Sequence, residues 1–361
     1  MATNIYDPKF MIQMLEQTPP LPTFIKDTFF RRNRTFPTLA VKFDVKKRGM
    51  AMAPFVSRRV GSKVLERGGF VTKSYEPPLV APRRVLTTDD IAVRLPGEPI
   101  YNGYHPNRRR TELLQQDLMD MDESITRREE WMCTQLMFNG EVIVVGDGIA
   151  ETIDFEFENT IVVDIPWADR VNAQPIIDFK KARDLVGQSG FTAGMAIADS
   201  ETMWDLINNT NVKELLDNTR FEMGVIRPEL LQNGAMYYGF LRVANLHLYS
   251  YESVYADNDN ENPEFPGVQP EDKGFVPAIY PLVPKGKVVV APATNFPGEM
   301  LYAVIHDLQI GSFARRRVPK QWEQQEPSER YIKLSSAPLP CPKSLDAWAV
   351  LDVLGDIGGT P

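Results

Sequence analysis

The stretch from Thr111 to Phe138 constrains most strongly what this chain can fold into. Read as a helix, it repeats apolar side chains at steps of three, four and seven residues, which is the period of one buried stripe. The members of the stripe are Leu114, Leu118, Met121, Ile125, Met132 and Leu136. The stripe is interrupted once, at Arg128. Such a helix is about 42 Å long, and we expect it to run along an extended, flattened subunit.

The two ends of this stretch carry signals of their own. Thr111 can cap the start of the helix, and Glu112 and Asp117 suit its positive N-terminal end. Asn139-Gly140 offers the left-handed residue that ends many helices. The pattern alone favours an ordinary core helix over a helix with a specialised role.

Composition bounds the class of protein. A chain of 361 residues, 43% hydrophobic and 24% charged, can bury a sizeable core and predicts about two domains. It has no apolar run long enough for a membrane helix and no signal-peptide pattern at its start, so we expect a cytoplasmic protein.

The two cysteines, Cys133 and Cys341, lack the spacing of a disulfide framework and of a metal site, and we expect both to be buried thiols.

The two parts of the chain carry opposite net charge. Residues 1–110 hold 20 Lys and Arg against 9 Asp and Glu, a net charge of +11. Residues 111–361 hold 20 against 39, a net charge of −19. A basic first part on an acidic body predicts either a nucleic-acid-binding arm or an arm that lies on the acidic body of another copy.

Residues 21–44 form a proline-bounded arm that is dense in aromatic side chains. Phe24, Phe29 and Phe30 need a surface to bury them, and that surface can belong to the same chain or to a neighbouring subunit. The next segment, residues 46–84, holds ten Lys and Arg and two acids. Because Arg67-Gly68-Gly69-Phe70 is a hairpin signal between short alternating stretches, we expect this basic segment to project as a loop.

The chain changes character after the long helix. Residues 141–163 read as strands, and Gly146-Asp147-Gly148 favours a hairpin turn over a phosphate site, since no third glycine and no helix pattern follow. From residue 172 to 314 helices and strands alternate, with Pro175 placed to begin a helix and Asp199 or Ser200 to cap another.

An acidic segment at residues 257–274 interrupts this alternation. Its Asp257, Asp259 and Glu261 are possible calcium ligands by type, but the glycine and the final glutamate of a calcium loop are missing. A solvated acidic loop is the favoured interpretation.

Segments spread along most of the chain resemble lambda-like tailed-phage major capsid proteins. RREEWMCTQLMFNGEVIVVGDG (127–148) is similar to the long helix and following hairpin of that family. MAPFV (52–56) and ERGGFVTKSYEPPLVAPRR (66–84) are similar to its extended loop, and VPK (318–320) with SAPLP (336–340) is similar to its C-terminal part. The order of these segments carries the resemblance, since no single one is diagnostic.

The resemblance implies an α+β protein with the Hong Kong 97 type fold. It implies an N-terminal arm (1–45), an extended loop (46–90), a peripheral domain with the long helix (91–171), an axial α/β domain (172–312) and a C-terminal return to the peripheral domain (313–361). The implied function is that of a major capsid protein, which self-assembles into hexamers and pentamers that form an icosahedral shell around a double-stranded DNA phage genome.

The resemblance also implies partners and a location. The implied partners are other copies of the chain, a scaffold, a portal and a decoration protein, with non-specific proximity to packaged DNA and no membrane. The implied location is the virion capsid, assembled in the host bacterial cytoplasm. We expect subunit contacts in the arm, the basic loop and the charged turn of the long helix, at Phe24, Phe29, Phe30, Arg58, Arg59, Lys63, Arg67, Arg127, Arg128, Glu129 and Glu130.

No catalytic, cofactor-binding or metal-binding residue is assigned. His105, His247 and His306 are far apart in sequence, and no nucleophile elbow, P-loop, metal helix or kinase motif set accompanies them. Two alternatives stay open. One is an encapsulin-like compartment shell of the same fold, and the other is a nucleic-acid-binding protein that uses the basic first third.

Overall fold

A computed structural model describes residues 6–17, 21–45, 71–93, 106–146, 149–216, 224–257, 278–326 and 328–355 of the chain. The helices are α1 (Pro8–Gln17), α2 (Ile25–Phe29), α3 (Thr88–Ala92), α4 (Pro106–Asn139), α5 (Pro175–Gln188), α6 (Ser200–Asn208) and α7 (Thr210–Leu216), with a 3-10 turn at Leu345–Ala347. The strands are β1 (Arg32–Thr35), β2 (Val41–Val45), β3 (Val71–Tyr75), β4 (Arg83–Thr87), β5 (Glu141–Gly146), β6 (Ile149–Asp154), β7 (Thr160–Val162), β8 (Met195–Ala198), β9 (Gly224–Leu230), β10 (Ala235–Leu241), β11 (Leu246–Tyr251), β12 (Val254–Asp257), β13 (Ala278–Pro281), β14 (Lys287–Ala291), β15 (Gly298–Tyr302), β16 (Ile305–Asp307), β17 (Gly311–Phe313), β18 (Val318–Gln324), β19 (Glu329–Ser335), β20 (Pro338–Pro342) and β21 (Ala349–Asp352).

The long helix α4 is longer than the sequence predicted. It begins at Pro106 rather than at the predicted cap Thr111, and proline suits the first turn of a helix because its missing N–H has no intrahelical partner there. At 34 residues the helix is about 51 Å long. All six apolar residues of the predicted stripe are buried, which confirms the period.

The predicted stop of the long helix is confirmed. Gly140 has φ of +76°, and its N–H donates to the carbonyl of Leu136 at 3.0 Å. A Cβ at this position would lie 2.3 Å from Cβ of Phe157, so both the backbone conformation and the close packing require glycine.

A seven-stranded sheet in the order β7-β21-β14-β8-β11-β10-β9 forms the centre of the subunit. One face packs on α5 and α6 through residues such as Phe179 and Met203. The opposite face packs on the C-terminal half of α4 and on the arm, in a second core that includes Met132, Leu136 and Phe29. The sheet is therefore covered on both faces, and its strands β8 and β14 are almost wholly apolar.

Smaller sheets surround this centre. A three-stranded sheet in the order β18-β19-β4 places Ile332 and Leu334 of β19 against Leu118 and Ile125 of α4, with Met11 of α1 in the same cluster. A second three-stranded sheet pairs β1 parallel to β15 and β20 antiparallel to β15. Two-stranded ribbons join β2 to β3, β5 to β6, β12 to β13 and β16 to β17.

Several local sequence predictions made along the chain are confirmed. Helix α5 begins at Pro175, and the Asp199 side chain caps α6 by accepting hydrogen bonds from the N–H groups of Glu201 and Thr202, both at 3.1 Å. Strands β5 and β6 pair Gly146 with Ile149, which is the predicted hairpin. Cys133 and Cys341 are buried free thiols, and burial raises the pKa of both.

The C-terminal segment divides between two sheets. Its strands β19 and β20 contact the long helix, and β18 pairs with β19 and contacts α1. The last strand, β21, instead enters the seven-stranded sheet between β7 and β14. Thus β7 and β21, from outside residues 172–312, complete the sheet of the proposed axial domain, and the five-part division of the chain stays a prediction.

Candidate functional site

The carboxylate of Glu130 holds the start of helix α2 in the arm. It accepts hydrogen bonds from three successive backbone N–H groups, those of Phe24 at 2.9 Å, Ile25 at 2.7 Å and Lys26 at 2.8 Å. N–H groups at the start of a helix have no intrahelical acceptor, and the helix dipole favours a negative charge there. Burial raises the pKa of Glu130, and the three N–H donors act against that rise. One side chain of the long helix thereby fixes the position of the arm.

Glu129 is wholly buried and is surrounded by cations. Its carboxylate lies 2.6 Å from Nζ of Lys26, 2.5 Å from Nη1 of Arg317 and 3.4 Å from Nη2 of Arg316. Burial favours the neutral acid, but the charges of Arg317, Lys26 and Arg316 outweigh it and lower the pKa of Glu129 to about 2. The carboxylate is therefore ionised inside the subunit.

Arg317 connects this carboxylate to further groups on the long helix and on the C-terminal segment. Its Nε donates to Asp122 at 2.5 Å, its Nη2 to Oγ1 of Thr126 at 3.1 Å and its Nη1 to Oγ of Ser336 at 3.3 Å. We call Lys26, Asp122, Glu129, Arg316 and Arg317 the charge cluster. It ties the arm, the middle of α4 and the segment before β18 to one another.

Three of the residues predicted at subunit contacts are buried within their own subunit. Phe24, Phe29 and Phe30 are 3%, 2% and 1% exposed. The Phe24 ring lies 5.4 Å from the ring of Tyr251, and the Phe29 and Phe30 rings lie 4.9 and 5.9 Å from that of Phe296. This corrects the expectation that a neighbouring subunit covers them, because the arm already packs in the core between α4 and the seven-stranded sheet.

The charged turn of the long helix divides in the same way. Glu129 and Glu130 face inward to the charge cluster and to the arm, which corrects their assignment to the subunit surface. Arg127 is exposed and pairs with Glu123 at 3.1 Å, and the guanidinium of Arg128 lies 5.3 Å from the centre of the Trp131 ring. Arg127 and Arg128 thus remain candidates for a contact with another subunit.

The basic residues of the extended loop, Arg58, Arg59, Lys63 and Arg67, lie outside the described residues, as does most of the acidic segment 257–274. The base of the loop is described. Strands β2 and β3 pair antiparallel from Val41 with Tyr75 to Val45 with Val71. This pairing places Val45 and Val71, the residues that flank positions 46–70, next to each other.

Sequence reasoning missed the charge cluster, although one signal for it was present. Glu129 lies four residues after Ile125 and three before Met132, so it falls on the buried stripe of the helix. A charged residue on a buried stripe calls for a buried partner. The identity of that partner is not visible locally, because Lys26 and Arg317 are 103 and 188 positions away.

His247 and His306 each have a hydroxyl group beside the imidazole ring. Nδ1 of His247 lies 2.9 Å from the hydroxyl of Tyr237, and Nδ1 of His306 lies 2.7 Å from Oγ of Ser312. In the part of the chain that the structure describes, no three His, Cys, Asp or Glu residues are grouped as metal ligands. No described helix is long and apolar enough to cross a membrane.

The family model of the phage major capsid protein E matches residues 8–353. The chain belongs to this family. It is 25% identical, over 97% of its own length and 99% of the relative's, to a prophage-derived major head protein of Escherichia coli strain CFT073. The major capsid protein of Escherichia phage lambda is 24% identical over 88% of this chain and 90% of its own.

Two solved structures show the fold. The crystal structure of a prophage capsid protein from Escherichia coli CFT073 superposes with a TM-score of 0.70 at 19% identity, covering 98% of this chain and 99% of that one. A phage-related protein from Bordetella bronchiseptica superposes with a TM-score of 0.54 at 11% identity, covering 99% and 100%. The phage capsid protein described here therefore has the Hong Kong 97 type fold, as the sequence predicted. It is a structural protein that associates with itself.

Proposed function

We propose that this chain is the major head protein of a tailed double-stranded DNA phage, and that its copies form hexamers and pentamers that close as an icosahedral shell. The observation that carries the proposal is the family match over residues 8–353. The relatives named as major head or capsid proteins align with the chain over nearly their whole lengths. The encapsulin-like alternative shares the fold, but the family match favours a phage shell over a compartment for protein cargo.

The buried contacts of the long helix support a structural role. Glu130 and the charge cluster join the arm, α4 and the C-terminal segment at one place. A shell subunit has to keep its shape while it contacts neighbouring subunits. Networks of buried, hydrogen-bonded polar groups favour one arrangement of the elements that they connect.

The charge distribution supports a specific contact between copies. We propose that the basic loop of one subunit, with Arg58, Arg59, Lys63 and Arg67, lies on the acidic body of the next. Exposed ion pairs each contribute about 0 to 1 kcal/mol, but several pairs repeated at every contact can govern assembly without stabilising the lone subunit. Arg127 and Arg128 are proposed as further contact residues between copies.

The remaining partners follow from the same role. We propose that assembly takes place in the host bacterial cytoplasm with a scaffold and a portal, that a decoration protein binds the shell, and that packaged DNA lies close to it without specific recognition. The proposed role needs no catalytic residue and no cofactor.

Electron microscopy of the purified protein tests the function directly. Closed shells, or rings of five and six subunits, are expected. A protein that stays monomeric at high concentration contradicts the proposed function.

A second experiment tests the loop contact. Replacing Arg58, Arg59, Lys63 and Arg67 by Glu should leave the melting temperature unchanged and abolish closed particles at moderate ionic strength. A control variant with Arg58→Lys, Arg59→Lys, Lys63→Arg and Arg67→Lys keeps the positive charges of the loop and should assemble. If the Glu variant forms empty shells but no longer retains DNA, the basic segment binds nucleic acid instead of a neighbour.

A further inference from the structure

Three exposed cations surround one buried acid where the arm meets β15 and β20. The carboxylate of Glu299, whose side chain is 5% exposed, lies 3.0 Å from Nε of Arg34 and 2.7 Å from Nζ of Lys343. It also lies 3.9 Å from Nη1 of Arg32. The side chains of Arg32, Arg34 and Lys343 are 77%, 56% and 45% exposed, and none of them pairs with a further acid of the described ranges. One negative charge therefore compensates one of three positive charges.

Exposed cations at other places on the subunit are balanced by acids. Arg170 pairs with Asp205 at 2.6 Å, and Lys285 pairs with Glu201 at 2.8 Å. In both pairs one acid faces one cation. The cations around Glu299 differ from these pairs, because they outnumber their acid and the acid is buried. A local excess of positive charge is thus presented by a chain whose overall net charge is −8, and such a patch attracts anions.

Strand β1 carries two of the three cations. Its sequence is Arg-Asn-Arg-Thr, and all four residues are exposed. Side chains two positions apart on a strand lie on the same face, about 7 Å from each other, so Arg32 and Arg34 form a short row. Asn33 and Thr35 add neutral hydrogen-bond donors. Among the described strands β1 pairs with β15 alone, so the sheet leaves the backbone groups along its other side unused.

This set of donors matches phosphate groups arranged in a row. A guanidinium group binds phosphate through two parallel hydrogen bonds, and Asn, Thr and backbone N–H groups are other common donors to nucleic-acid phosphates. The ion pairs with Glu299 hold both arginines near one position, which reduces the entropy that binding costs. An acidic protein surface would complement the charge alone. Double-stranded DNA, with one negative charge per about 1.7 Å of its axis, complements both the charge and the row.

We propose that Arg32, Arg34 and Lys343 bind phosphate groups of double-stranded DNA without reading its sequence. This inference deepens the proposed function and rests on it, because a shell around a phage genome encloses that polyanion. The three residues lie outside the basic loop, whose proposed partner is a neighbouring subunit. Each phosphate contact releases counterions, so the binding weakens as the salt concentration rises.

The test measures the affinity of purified subunits for a short DNA duplex at several KCl concentrations, by fluorescence anisotropy. Replacing Arg32 and Arg34 by Gln removes the two uncompensated charges, while Lys343 still pairs with Glu299 and keeps the melting temperature near that of the parent. The slope of log affinity against log salt should become shallower by about 1.8, since each lost phosphate contact accounts for about 0.9. Empty shells should still form.

Two matched variants serve as controls, compared at a temperature at which every variant is folded. Arg170→Gln combined with Lys285→Gln removes the same amount of charge from balanced pairs, and the parental slope is expected. Arg32→Lys combined with Arg34→Lys keeps the positive charges and should retain most of the slope.

The inference is wrong if the parent does not bind the duplex, or if the slopes of the parent and of the Gln variant of Arg32 and Arg34 are equal. An equal loss of slope in the variant of Arg170 and Lys285 also overturns it, because overall charge would then account for the binding. Failure of the Gln variant of Arg32 and Arg34 to form empty shells, with DNA binding unchanged, identifies a second copy as the partner instead. Electron microscopy of the parent tests the proposed function separately, since the DNA measurement uses free subunits.

Discussion

The two halves of the long helix have different surroundings. In the first half, Leu114, Leu118 and Met121 face α1 and β19, and Gln115 and Gln116 are exposed on the other side. In the second half, Met132, Cys133, Leu136, Met137 and Phe138 are all buried, and so are Thr126, Glu129, Glu130 and Thr134. One amphipathic period therefore continues into a segment that is enclosed on nearly every side.

This difference shows what the spacing of apolar residues indicates about the surroundings of a helix. A single apolar stripe indicates a helix that is buried along one side. The second half of α4 is covered on several sides, by the arm, the seven-stranded sheet and the C-terminal strands. Polar residues there are buried, and each needs a partner inside the protein. The second half should accordingly respond far more strongly than the first to changes in its polar and aromatic contacts.

The largest expected effect comes from the arm that covers the second half. Replacing Phe24, Phe29 and Phe30 together by Ser should abolish cooperative thermal unfolding of the lone subunit. Each buried Phe contributes about 3 to 5 kcal/mol relative to Ala, and the sum approaches the whole stability of a typical domain. Circular dichroism during heating measures this.

An exposed leucine provides the control for the aromatic arm. Leu79 is 54% exposed, and Leu79→Ser should leave the melting curve nearly unchanged. A near-parental melting temperature for the triple variant would show that the arm packs on a neighbour after all.

The next effect separates buried from exposed ion pairs on the same helix. Arg317→Met removes the main partner of Glu129 and should lower the free energy of unfolding by about 3 kcal/mol, because a buried charge loses its compensation. Arg127→Met breaks the exposed pair with Glu123 and should change it by about 0.5 kcal/mol or less. Urea unfolding of both variants measures the two values, and equal losses would show that burial does not set the strength of these ion pairs.

The smallest effect is a dependence on pH. The pKa of Glu129 is lowered from 4.5 to about 2, so its ionised form stabilises the folded state above pH 4.5 and that stabilisation is lost as the pH falls toward 2. The raised pKa of Glu130 acts in the opposite sense, giving stability at low pH that is lost as the pH rises. We expect the free energy of unfolding to fall on acidification, and to fall less in Glu129→Gln.

Asp307 supplies the control for the pH experiment. Its hydrogen bond from Lys320 lowers its pKa to about 2, so it titrates in the same interval, but it lies on the exposed hairpin. Urea titrations at about pH 5 and about pH 3 should show that Asp307→Asn keeps most of the acid-induced loss. The assignment to Glu129 is wrong if Asp307→Asn removes the loss and Glu129→Gln does not.

Local patterns in the sequence predicted much of this fold. The stripe on α4, the stop at Gly140, the start of α5 at Pro175 and the cap at Asp199 all depend on residues within a few positions of one another. Such features follow from backbone geometry and from the first turn of a helix. They are accordingly readable from one sequence.

The candidate site was harder to predict because it joins distant parts of the chain. The aromatic residues of the arm indicated that a surface was needed, but composition does not say which surface. Glu129 and Glu130 belong to a charged turn of the helix, and charged residues are seldom buried unless they are paired. Their partners, Lys26, Arg317 and the N–H groups at the start of α2, are brought to them only by the tertiary fold.

The position of β21 in the central sheet bears on how the subunit is made. Strand β7 is paired only with β21 among the described strands, and β21 begins at Ala349. During translation, β7 emerges roughly 190 residues before its partner, and pairing over such a separation is slow. A nascent chain short of residue 349 leaves β7 and one edge of β14 open. Prematurely terminated subunits would thus be marked by unpaired strands and exposed to proteolysis before they could join a growing assembly.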